Sequence, residues 1–75
     1  MKITVKLIGP LIYEAGFSEK ELTLRAHMTV GELSGQLKID KKRTTIITRN
    51  GKAAVPGDGL EAGDRVVISP LYSGG

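Results

Sequence analysis

The hydrophobic period of this chain changes twice, and that alternation limits its folds more than any other feature. Residues 2–8, KITVKLI, set Ile3, Val5 and Leu7 on one face and Lys2, Thr4 and Lys6 on the other. This period of two belongs to a half-buried strand. Gly9-Pro10 breaks it. Gly9 to Glu19 reads as a loop with room for a helical turn over Leu11–Ala15. Alternation then resumes near residues 20–26, where Leu22 and Leu24 stand between Glu21, Thr23 and Arg25.

At Thr29 the period lengthens. TVGELSGQLK places Val30, Leu33 and Leu37 at i, i+3 and i+7, one face of a helix. Thr29 and Glu32 have the capping-box spacing. Gly31 and Gly35 each weaken the helix by up to about 1 kcal/mol relative to alanine, so packing on a sheet must hold it. The period of two then returns. TTIIT is β-branched throughout, a strand composition. Asn50-Gly51 is the residue pair of a type I′ hairpin, with KAAV as the short return. PGDGLEAGD is turn-rich, with Leu60 plugging the core in passing. Arg65–Pro70 is the last strand, with Val66 and Ile68 inward and Pro70 at its end or on an edge.

The resulting order, β-β-α-β-β-β, is α+β. A helix between strands makes the usual right-handed crossover. The pattern predicts a β-grasp (ubiquitin-like) domain, in which one helix crosses one face of a mixed sheet. The first and last strands would then be parallel and central. The domain is expected over residues 1–70, leaving 71–75 as a flexible C-terminal tail.

Composition narrows the chemistry. Only Tyr13, Phe17 and Tyr72 are aromatic, so the core is built from Ile, Leu and Val. The absence of cysteine removes disulfides, thiolate metal ligands and thiol nucleophiles. No stretch approaches the roughly 18 apolar residues of a membrane span, and the N-terminus lacks a signal-peptide run. A cytoplasmic protein without membrane attachment is expected. The net charge is +3, and the longest basic run is Lys41-Lys42-Arg43. With almost no aromatic side chains to stack on bases, nucleic acid is not an expected partner.

Catalysis needs titratable groups that converge, and the sequence points to none. His27 lies between a strand and a helix cap and reads as a solvated loop residue. Asp58, Glu61 and Asp64 fall in a turn and read as turn-forming and solubilising residues. No phosphate loop surrounds Asn50-Gly51, because Ile46 stands where its first glycine is needed. No metal site and no bound cofactor are expected, and the chain is not expected to be an enzyme by itself.

What remains is the tail, Leu71-Tyr72-Ser73-Gly74-Gly75, which spans roughly 16 Å when extended. Glycine has no Cβ, so Gly74 and Gly75 can thread a narrow channel in another protein. Their α-carboxylate has a reference pKa of about 3.5 and is ionised at neutral pH, which makes it a poor acyl electrophile. ATP can convert it to an acyl-adenylate, from which sulfide, persulfide or an amine displaces AMP. On this reading Gly75 is the reacting residue, Gly74 and Ser73 thread, and Pro70, Leu71 and Tyr72 meet the partner.

Three stretches, TVGEL, RNGK and LEAGDRVVISPLYSGG, resemble the MoaD/ThiS family of ubiquitin-like sulfur carriers over essentially the whole chain. The resemblance implies an E1-like adenylating partner that uses ATP, and a thiocarboxylate on Gly75. It also implies a sulfur-accepting synthase. In the MoaD branch that is the large molybdopterin synthase subunit, and in the ThiS branch a thiazole synthase of thiamine biosynthesis. The long first loop is more similar to the MoaD branch, whereas Leu71-Tyr72-Ser73 departs from the small residues common before the glycine pair. A protein modifier joined through Gly75 to target lysines is the alternative, and a binding domain with an inert tail is a third reading.

Overall fold

The computed structural model describes residues 1–39 and 44–71. The expectations for Asp40, Lys41–Arg43 and Tyr72, Ser73, Gly74 and Gly75 therefore lie outside the described residues. The elements are β1 (Lys2–Leu7), α1 (Leu11–Ala15), β2 (Glu19–Thr23), α2 (Val30–Gln36), β3 (Thr45–Arg49), β4 (Lys52–Ala53) and β5 (Arg65–Pro70). The helical turn expected over Leu11–Ala15 is thus a second helix, and Leu11 is its buried residue.

The five strands form one mixed sheet in the order β2-β1-β5-β3-β4. β1 and β5 are parallel and central, with Val5 opposite Val66 and Leu7 opposite Ile68. All other pairings are antiparallel. This is the ubiquitin-like β-grasp arrangement that the period changes predict. β1 buries alternate residues because one side faces α2 and the other does not. Ile3, Val5 and Leu7 form one cluster with Val66 and Ile68 of β5 and with Val30 and Leu33 of α2. Leu24, Met28 and Leu60 fill it from the connecting segments, so Leu60 plugs the core as expected.

The ends of α2 follow from its sequence. The Thr29 hydroxyl accepts the Glu32 N–H while the Glu32 carboxylate accepts the Thr29 N–H, a full capping box. Two more N–H groups of the first turn are satisfied from outside. Val30 donates to the Asp58 carbonyl and Gly31 to the Pro56 carbonyl, both at 2.9 Å. This accounts for donors that a helix start otherwise leaves open.

The hairpin turn has φ of 52° at Asn50 and 84° at Gly51, the two positive values a type I′ turn requires. β4 is only two residues long, shorter than the expected KAAV strand. Ala54 still donates to the Ile47 carbonyl, but the chain then turns away through Pro56 toward α2.

Candidate functional site

β5 runs through the centre of the sheet toward the tail, so the tail leaves from the middle of the molecule's widest surface. Pro70 closes the strand opposite Thr45. The ladder to β1 ends where Ile8 donates to the Ile68 carbonyl at 3.1 Å. A proline there removes at most one donor beyond the last bond. Pro70 is buried, with its ring beside Gly9. It therefore packs against the chain's own backbone and is not an exposed contact. Leu71 N–H donates to the Thr44 carbonyl at 3.0 Å, the last described backbone bond of the chain, while the Leu71 side chain is 44% exposed.

On the sheet face turned away from α2, β1 presents Lys2, Thr4 and Lys6, and β5 presents Arg65, Val67 and Ser69. Ile46 of β3 lies opposite Ser69 on that face. Ile8 and Ile46 are 39% and 44% exposed, unusual for large aliphatic residues near a sheet centre. Together with half-buried Val67 and exposed Leu71, they make the tail exit apolar. Sequence reasoning found Leu71 but missed Ile8 and Ile46. Their strand parity was readable once Val66 and Ile68 were assigned inward, but the register linking them to Ser69 was not.

The acidic turn is not what its sequence suggests. Asp64 is only 5% exposed. It accepts from Arg49 Nε at 2.5 Å, the Glu61 N–H at 2.8 Å and Asn50 Nδ2 at 2.9 Å. Burial pushes its carboxyl up, but these donors outweigh that and hold it below its ordinary value. The hydrogen bond to Asp64 likewise holds the Arg49 guanidinium above its ordinary value. Asn50 closes the arrangement by accepting the Arg65 N–H through Oδ1 and donating its own N–H to the Arg65 carbonyl. The reading of Asp64 as a solubilising residue is corrected: it ties the β3–β4 hairpin to the start of β5. Asp58 is a turn residue as expected, accepting the Val55 N–H.

His27 is exposed with φ of 64°. It lines an open basin with Met1, Arg49, Leu60 and Glu61. Arg49 is the cation that could act there, and it is committed to Asp64. Among the described residues, no group of three or more His, Asp or Glu side chains could hold a metal ion. None of their helices is long and apolar enough to cross a membrane.

Comparison with known proteins comes to the same end of the molecule. The model of the ThiS family matches residues 5–75. Comparison with curated protein sequences yields no match. Among solved structures, the chain is similar to SAMP1 from Haloferax volcanii at 26% identity and a TM-score of 0.80, covering all of both chains. A Pyrococcus furiosus protein assigned as subunit 1 of a molybdopterin converting factor aligns at 23% identity and a TM-score of 0.81, over 96% of this chain and 99% of that one. The complex of subunits 1 and 2 of molybdopterin-converting factor from Helicobacter pylori contains a chain with 20% identity and a TM-score of 0.67, with both chains fully covered.

Proposed function

Because this chain belongs to the ThiS family, we propose that it is a sulfur carrier whose reactive atom is the carbonyl carbon of Gly75. The observation that carries this reading is the family match, which runs through the fold and on to Gly75. The open exit at Leu71 supports it, because the last described residue is presented to solvent rather than folded back into the core.

The chemistry balances in two steps. The Gly75 carboxylate attacks the α-phosphorus of ATP at an E1-like adenylating partner, giving an acyl-adenylate and releasing pyrophosphate. A sulfide or persulfide sulfur then attacks the acyl carbon and expels AMP, leaving a thiocarboxylate. The folded domain supplies recognition, and the partners supply catalysis. The acceptor favoured is a molybdopterin-type synthase, supported by similarity to two converting-factor small subunits. A thiazole synthase is the second candidate acceptor.

A modifier reading has its own support in SAMP1, the small archaeal modifier protein. In that case a lysine amine of a target, rather than sulfur, captures the acyl-adenylate.

Intact-mass spectrometry of the purified chain, after incubation with ATP, sulfide and extract of its source cells, separates these outcomes. A mass gain equal to replacing oxygen by sulfur supports the carrier. Higher-mass conjugates linked through Gly75 support the modifier. An unaltered mass, with extract shown to be active on another carrier, overturns both.

A further inference from the structure

We propose that the sheet face around the tail exit docks the enzyme that acts on Gly75, and that Lys6 selects a partner surface bearing a carboxylate. The inference rests on the carrier reading and deepens it.

The first argument is reach. Four residues separate Leu71 from the chain's last carboxyl, which is at most about 13 Å of extended chain. An active site closed over Gly75 must lie within that distance of Leu71. The enzyme carrying it therefore covers the surface next to Leu71, and that surface is Ile8, Ile46 and Val67. Exposed aliphatic side chains grouped at one place on a small domain mark an interaction site. Ser69, the polar residue among them, turns its hydroxyl toward the Ile46 carbonyl at 3.5 Å.

The second argument is charge. This face carries three cations, Lys2, Lys6 and Arg65, against two carboxylates, Glu19 and Glu21. Arg65 pairs with Glu19 at 2.9 Å and Lys2 with Glu21 at 3.8 Å. Glu19 stands opposite Lys6 in register, yet its partner is Arg65 across β1. Lys6 is left exposed without an ion-pair partner among the described residues, beside Val67 in the β1–β5 register. An unpaired cation at the margin of an apolar patch suits a partner with apolar side chains and a carboxylate at its rim. Such a rim charge governs encounter and partner choice.

The test measures thiocarboxylate formation on the full chain in source-cell extract with ATP and sulfide, as a function of chain concentration. Ile46→Ser and Lys6→Glu are expected to raise the half-saturating concentration about tenfold or more. The maximal rate should stay unchanged, because neither residue touches Gly75. Lys6→Gln serves as a second variant, since Lys6→Glu sets two carboxylates opposite each other. With Lys6→Gln, the salt dependence seen in the parent should flatten. Lys52→Glu, the same charge change on β4, should behave as the parent. Folded variants that saturate like the parent overturn the docking surface and leave the carrier reading standing. A parent chain that acquires no sulfur in active extract overturns both.

Discussion

Arg49 Nε meets the Asp64 carboxylate at 2.5 Å across fifteen positions of sequence. That bond joins the foot of the β3–β4 hairpin to the turn that launches β5. Removing the acceptor with Asp64→Ala strands three donors: Arg49, the Asn50 amide and the Glu61 N–H. Each such bond is worth about 1 kcal/mol net, so a loss of about 2–4 kcal/mol is expected. Urea denaturation reads it directly. A midpoint matching the parent would show that the buried carboxylate contributes nothing to the fold.

The same group predicts the acid limb of stability. Asp64 titrates below its ordinary value in the folded chain, so its contribution is complete above the unfolded carboxyl pKa of about 4. It is lost as pH falls through the lower native value. Glu32 acts in the same direction. The Thr29 N–H, acting against slight burial, and then the Arg25 guanidinium hold its carboxyl low. Urea midpoints should therefore decline between about pH 4 and pH 2. Asp64→Asn should decline less steeply, with Glu32 supplying part of the remaining slope. Parallel curves for parent and variant would remove Asp64 from the account.

The strands, the capped helix and the type I′ turn were legible because each is written locally, in period, cap spacing and a two-residue turn signal. Asp64 was not, since its partners Arg49 and Asn50 come from another strand and a turn, and three acidic residues in a glycine-rich stretch look solvated until those donors are in place. The apolar exit was half legible. Leu71 follows from counting past Pro70, whereas Ile8 and Ile46 reach the same region only through the parallel β1–β5 and antiparallel β3–β5 registers. Pro70 misled in the opposite direction. A proline near a strand end suggests a stiff, exposed approach, but the parity that buries Val66 and Ile68 buries it too.

Deleting residues 72–75 should leave the fold intact. The buried aliphatic core ends at Ile68, and the last described backbone bond is made by Leu71. The urea midpoint of that truncation should correspond to a change within about 0.5 kcal/mol, the range of surface changes. Deletion from Pro70 onward also removes a buried ring and the Leu71–Thr44 bond, and should cost clearly more. If the shorter deletion already unfolds the chain, the tail is part of the domain rather than an appendage to it.

The two glycines of α2 should respond to alanine with opposite signs, although propensity alone treats them alike. At Gly35 a Cβ would meet nothing within 4 Å. Gly35→Ala should therefore stabilise by roughly 0.5–1 kcal/mol through helix propensity. At Gly31 a Cβ would come within 3.0 Å of the Pro56 Cβ and 3.1 Å of its carbonyl oxygen. That carbonyl is also the acceptor of the Gly31 N–H, so Pro56 cannot retreat without giving up the bond that helps satisfy the helix start. The clash and the weakened bond together exceed the propensity gain, and Gly31→Ala should lower the urea midpoint. Stabilisation at both positions would mean that the Pro56 turn yields freely, and that its contact with α2 does not hold the helix in place.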